Sequence, residues 1–186
     1  MVRVRIALAT FLVLATSCGQ PASGTASHQP SQGASASAAS AGSGGGRCAT
    51  AQLQFSIGKL DAATGNRLQT IILTNKMGPS CYLGGYPGVE LLDAGRRHLQ
   101  DAQRSTDSFF GRYAPPHRVD VASGGATMFD LSWAGIDPCA DGVSAQNGAT
   151  LKITPPGDYD ASTISGPGPV CPNTLVVHPV GSRPSG

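Results

Sequence analysis

The stretch Ala126-Thr127-Met128-Phe129-Asp130-Leu131-Ser132-Trp133 decides the fold class. Thr127, Phe129, Leu131 and Trp133 recur at every second residue, so an extended chain carries all four on one face, a core stripe. Leu53-Gln54-Phe55-Ser56-Ile57 repeats the alternation of a half-buried strand. Working outward, the sequence predicts strands at Arg67 to Asn75, Cys81 to Leu83, Val89 to Leu92, Arg118 to Val121, Ala149 to Thr154 and Leu175 to Val180. Turn chemistry separates them: Asp61 to Asn66 centred near Thr64, Gly78-Pro79, Gly84-Gly85 and Asp93-Ala94-Gly95. Ser123-Gly124-Gly125 reads as a hairpin turn between the Arg118 strand and the Trp133 strand. No segment carries a helical period. Short strands at short intervals predict an all-β, antiparallel, Ig-like sandwich over residues 48–180.

Composition agrees. Glycine (25) and proline (14) make about a fifth of the 186 residues, and only 13% of the chain is charged, which disfavours a helical bundle. The formal charge of +2 includes Arg3 and Arg5, which lie in an apparent leader; without them 11 basic residues face 11 acidic ones. A neutral body has no field to gather nucleic acid or anionic lipid, so nucleic acid is excluded as a partner.

The leader spans residues 1–17. Basic residues at Arg3 and Arg5 precede an uncharged run from Ile6 to Ala15, the pattern of a secretory signal peptide. Ten helical residues rise about 15 Å, half of a hydrocarbon core of about 30 Å. Leu14-Ala15-Thr16-Ser17-Cys18-Gly19 resembles a bacterial lipobox, in which small residues precede a cysteine that receives diacylglycerol and becomes the new N-terminus. Ala15 stands where leucine is usual, with Leu14 one position further back. Two or three acyl chains anchor far more firmly than one, at about 0.8 kcal/mol per buried CH₂. The expected location is therefore the extracytoplasmic face of a cell membrane, with Cys18 as the anchor.

Residues 18–47 continue as a Ser/Ala/Gly-rich tether. Its 29 residues after Cys18 hold no acidic, aromatic or large aliphatic side chain, so they cannot offset chain entropy by burial and are expected to be disordered. Such a coil spans roughly 30 Å and reaches about 100 Å at full stretch. His28 lies in it as a solvated residue. Residues 181–186 are expected to form a flexible tail.

Five cysteines are an odd number for an exported protein; with Cys18 lipidated, Cys48, Cys81, Cys139 and Cys171 remain for two bridges. A hairpin centred near Thr64 places residue 48 opposite about residue 80, which suggests Cys48 with Cys81 and leaves Cys139 with Cys171. Two crossed pairings stay formally open, because four cysteines allow three connectivities.

Cys48-Ala49-Thr50-Ala51-Gln52-Leu53, the strand end Leu73-Thr74-Asn75 and Cys81-Tyr82-Leu83-Gly84-Gly85-Tyr86-Pro87-Gly88-Val89 resemble an actinobacterial domain of unknown function, number 4232. Val121 to Ala126, Cys139, Leu151-Lys152-Ile153-Thr154-Pro155-Pro156-Gly157 and Cys171 extend the resemblance over about 48–180, with Ser123 where a proline is usual. The resemblance implies a secreted or lipid-anchored β-sandwich and carries no catalytic residue. Locally, glycines 84, 85 and 88 with Pro87 make a rigid corner that aims Tyr86, its ring expected to plug the end of the sandwich.

A search for chemistry finds no reactive motif. Gly142-Val143-Ser144-Ala145-Gln146 lacks the last glycine of a nucleophile elbow. His98 and His117 look like exposed loop residues, and His178 lies in the last strand on the face opposite Val177; a Ser-His-Asp set would need geometry that sequence does not show. Asp137-x-Cys139-x-Asp141-Gly142 fails as a calcium loop, because Cys139 replaces an oxygen ligand and Gly148 stands where a bidentate Glu is needed. Cysteine separations of 33, 58 and 32 do not fit zinc. Asp158 and Asp160 flank Tyr159 in a loop and are expected to be solvated. The reading is a non-catalytic binding module without cofactor or metal, meeting an envelope protein or glycan. Alternatives are a small-ligand carrier, or an enzyme or enzyme modulator whose site assembles from distant loops. The candidate contact surface is the polar stretch Gln100 to Pro116, which places Phe109, Phe110 and Tyr113 together, since aromatics on loops anchor interfaces.

Overall fold

A computed structural model describes residues 45–185 apart from 77, 137 and 141. The leader, Cys18, the tether up to residue 44, and Asp137 and Asp141 of the calcium-like loop lie outside the described residues. Among the described residues no helix is long and apolar enough to cross a membrane.

The body is all-β. After a 3-10 turn at Thr50–Gln52, β1 (Leu53–Ala63) and β2 (Asn66–Asn75) form a hairpin. Its two-residue turn puts Thr64 at φ 47° and Gly65 at φ 80°, the mirror-image geometry that matches strand twist. A bulge between Ile57 and Leu60 interrupts β1, and the buried Gln69 amide donates to the carbonyls of Gly58 and Lys59 there, at 3.0 Å each. With Lys59, the bulge blunts this edge strand against pairing with another chain.

β3 (Cys81–Gly84) and β4 (Gly88–Leu92) flank the Tyr86 corner, and β5 (His98–Asp101) returns beside β4. Three two-residue strands follow, β6 (Gln103–Arg104), β7 (Asp107–Ser108) and β8 (Gly111–Arg112). Then come β9 (Arg118–Val121), β10 (Ala126–Ala134), β11 (Gln146–Thr154), β12 (Ser162–Val170) and β13 (Val176–Val177). One sheet has the order β1-β2-β10-β13-β6, the other β12-β11-β4-β5, and β3-β9 and β7-β8 form small ribbons. β13 and β6 run parallel; the other strand pairs are antiparallel.

The core fills the space between the two sheets. Phe55, Ile71, Leu73, Phe129, Leu131 and Val177 come from one, and Val89, Leu91, Leu151, Ile153 and Val170 from the other. The predicted stripe of Thr127, Phe129, Leu131 and Trp133 is buried. Tyr86 is half-buried and packs against this core. The disulfides are Cys48–Cys81 and Cys139–Cys171.

Four expectations need correction. The Ser123-Gly124-Gly125 turn does not make a hairpin: β9 pairs with β3, while β10 pairs with β2 and β13, so the turn carries the chain from one sheet to another. β12 has no sequence counterpart above. It contains Pro167 and Pro169, and it tolerates them as an edge strand with one neighbour. Gly46, expected within the tether, and Cys48 beside it are held to the body instead, because the Tyr82 amide donates to the Gly46 carbonyl and the Cys48 amide to the Tyr82 carbonyl, at 3.0 Å each. The tail is held too: Ser182 is buried, and Ser185 bridges to Arg112 through a 2.9 Å backbone bond.

Candidate functional site

β10 is buried on both faces. Asp130 and Ser132, the alternates of the core stripe, lie under residues 105–116, which leave the edge strand β6 and run as a strap across the outer face of the sheet. Asp130 is 1% exposed. Its carboxylate accepts from Thr70 Oγ1 at 2.7 Å and from the Tyr113 hydroxyl at 3.0 Å. Tyr113 also lies flat on the His178 imidazole, with ring centroids 4.0 Å apart and planes within 4°.

His178 is fully buried and satisfied at both ring nitrogens. Nδ1 meets the Ser105 carbonyl at 2.9 Å, and Nε2 meets Ser132 Oγ at 2.8 Å. A carbonyl only accepts, so the neutral ring carries its proton on Nδ1, and Ser132 donates to the Nε2 lone pair. Burial holds this imidazole below the usual histidine range, against the opposing pull of the Ser105 carbonyl and of Asp130. Burial, with Asp130's negative charge and its hydrogen bond, pushes the Tyr113 phenol above its usual range.

The strap ends this network in a cleft of about 170 Å³. Ser132, Trp133 and Asn66 form its sheet side, and Asp107, Phe109 and Phe110 its strap side. Phe109 is 59% exposed and meets Phe110 edge-to-face at 5.5 Å. The Ser108 hydroxyl accepts from the Phe110 amide at 3.0 Å and donates to the Gly111 carbonyl at 3.1 Å, and Arg112 pairs with Asp107 at 2.9 Å. The rings therefore stand on a short, closed ribbon.

The three aromatic residues singled out from sequence thus part company. Phe109 faces solvent and Phe110 is half-buried. Tyr113 is corrected from a surface candidate to a pillar of the buried network, at 2% exposure, because its hydroxyl finds Asp130 and its ring finds His178. Asp130, Ser132 and His178 were not expected together. Ser132 and His178 are 46 residues apart, and no spacing rule links them.

A second groove of about 340 Å³ lies near the first described residues, lined by Arg47, Tyr82, Gly85, His117 and Arg118. The Arg118 guanidinium stacks 3.8 Å from the Tyr82 ring centre, and Arg47 lies 5.4 Å from it. Arg118 is neutralised by Asp120 at 2.7 Å. His98 pairs with Asp101 at 3.1 Å on the exposed β5 edge, and His117 is also exposed. Asp158 is not free: it accepts from the Thr50 amide at 2.7 Å and the Thr50 hydroxyl at 2.8 Å. These bonds, with the Tyr159 amide, hold its carboxyl at about 2. Among the described residues no cluster of three or more His, Cys, Asp or Glu side chains is placed to hold a metal ion.

The molecule belongs to the class of two-sheet β-sandwich domains stapled by disulfides, with one small cleft beneath a strap. Residues 48–181 match the family model described as Domain of unknown function (DUF4232), and the chain belongs to that family. No curated protein and no solved structure matches the chain.

Proposed function

We propose that this chain is a membrane-tethered binding module of the cell envelope, anchored through lipid on Cys18 and displaying its sandwich on the extracytoplasmic side. The basic and apolar leader, the lipobox-like run before Cys18 and the odd cysteine count support the anchor. The observation that carries the binding reading is Phe109, a large apolar ring 59% exposed at the lip of a cleft, on a strap whose underside is pinned by hydrogen bonds and ring stacking. Holding an exposed aromatic rigidly removes the ordering cost that a mobile loop incurs on binding. The partner is an envelope protein or glycan that presents an apolar group to Phe109, with polar contacts to Asp107 and Asn66.

A photo-crosslinking residue placed at position 109 of the anchored protein in its native envelope tests this. The expected result is one recurrent crosslinked species, absent when the same residue is placed at exposed Tyr159. Equal yields at both positions overturn the reading. Mass spectrometry of the mature N-terminus tests the anchor. An unmodified N-terminus at any residue other than Cys18 refutes it.

A further inference from the structure

We propose that Ser132 is a nucleophile, with His178 as its base, that accepts an acyl group from an ester seated in the Phe109 cleft. The inference rests on the reading of that cleft as a ligand site and assigns it a chemistry. Ser132 Oγ lies 2.8 Å from His178 Nε2 and lines the cleft. The Ser105 carbonyl, 2.9 Å from Nδ1, holds the tautomer that leaves Nε2 as acceptor, the task a carboxylate performs in a catalytic triad. The ring cannot turn, because Tyr113 stacks on it at 4.0 Å and the His178 backbone amide donates to the Asp130 carbonyl at 3.0 Å. Burial keeps the imidazole neutral and so able to take a proton.

The sheet supplies a donor for the oxyanion. Ser132 faces Leu68 in the register of β10 and β2, and Asn66 is two residues along on the same face. Such diagonal neighbours lie about 7–8 Å apart, room for a carbonyl between their side chains. Asn66 lines the same cleft, and among the described residues its side-chain amide donates only a long 3.4 Å bond, to the Thr64 carbonyl. In the reaction Ser132 Oγ bonds to the ester carbon as its proton passes to Nε2. The carbon–oxygen bond to the alcohol then breaks, and the alkoxide leaves with the proton from Nε2. Nδ1 keeps its proton on Ser105 throughout, beside the Asp130 charge. A cleft of about 170 Å³ admits a short acyl or alkyl chain.

The test is labelling of the full chain with a small alkyl fluorophosphonate, whose phosphorus bonds to Oγ as fluoride departs and Nε2 takes the proton. One adduct is expected, mapped to Ser132 and lost in Ser132→Ala. His178→Gln is expected to slow it by about 100-fold or more. Because that variant can loosen the strap, the rate in the unaltered protein is also followed against pH. Tyr113 from the strap and Asp130 from β10 are the titratable groups facing the ring, with Arg183 near Tyr113. The rate should rise to a plateau with a midpoint below 6.5, whereas an ordinary serine would gain with hydroxide and show no plateau. A missing adduct at Ser132, or a profile without a plateau, overturns the proposal. If crosslinking from position 109 still captures its partner in that case, the binding reading stands and only the chemistry falls.

Discussion

Asn75 shows how much one amide can hold. Its side chain is fully buried, and Nδ2 donates toward the carbonyls of Pro79 at 3.0 Å, Ala122 at 3.2 Å and Val121 at 3.4 Å. Its backbone closes the same junction, since Asn75 N donates to Gly125 O at 2.9 Å and Gly124 N to Asn75 O at 2.8 Å. Two turns are thus tied to the end of β2. Asn75→Ala removes a donor that these three carbonyls share and should cost about 2–3 kcal/mol, read as a lower urea midpoint. Leu73-Thr74-Asn75 is visible in the sequence as part of the family pattern, but the side-chain acceptors of Asn75 reach 47 residues along the chain and its backbone partner Gly125 lies further still, so its clamp is not. Asp158 invites a second residue-level test. Its folded carboxyl lies near 2 against an ordinary 3.8, so its stabilising effect is complete above 3.8 and is lost as pH falls toward 2. Asp158→Asn should flatten the stability curve over that window, measured by denaturant titration at pH 2 and pH 5.

At the scale of elements, the strap separates what alternation can reveal from what it cannot. The stripe of β10 was legible because four apolar or β-branched residues share one face. The other face carries Asp130 and Ser132, which a period-two reading assigns to solvent, yet both are buried beneath a segment some twenty residues earlier in the chain. The same holds for His178 opposite Val177. Polar residues on a covered face look identical in sequence to polar residues on a wet one; the difference lies in Tyr113 and Ser105, whose hydrogen bonds are tertiary. Tyr113→Phe leaves Asp130 with Thr70 as its remaining side-chain donor and should destabilise the fold by about 1.5–3 kcal/mol. Amides of residues 105–113 should exchange faster than those of β2 in that variant. Protonation acts on the same element. The folded imidazole of His178 titrates below its unfolded value of about 6.5, so the fold favours the neutral ring. Its contribution is complete above pH 6.5 and is lost as pH falls from there through the folded value. The denaturation midpoint should therefore drop between pH 7.5 and 5.5, and His178→Gln should remove that part of the drop.

For the whole molecule the two disulfides make a controlled comparison. They close loops of nearly equal length, 33 and 32 residues, so the chain-entropy model assigns each about 3–4 kcal/mol. Their surroundings differ. Cys48 and Cys81 belong to the central apolar cluster, beside Leu83 and Val121, and they join the first described segment to β3. Cys139 and Cys171 are buried as well but lie outside that cluster, linking the β10–β11 connection to the end of β12. The bridge pattern was legible because a hairpin at Thr64 brings residue 48 near residue 81, whereas the packing around each bridge depends on contacts that no local pattern records. Replacing both cysteines of a pair by serine returns about the same entropy to the unfolded chain in the two cases, and in the first it also puts hydroxyls into apolar packing. Cys48→Ser with Cys81→Ser should therefore lower stability more than Cys139→Ser with Cys171→Ser. Losing both bridges removes about 6–8 kcal/mol, comparable with the whole stability of a small domain, and should leave the chain largely unfolded at 37 °C. Urea denaturation of the two double variants and of the reduced protein measures all three. An equal loss from both pairs would mean that loop closure alone sets the effect, and that the cluster around Cys48 and Cys81 adapts to polar groups as readily as the periphery does.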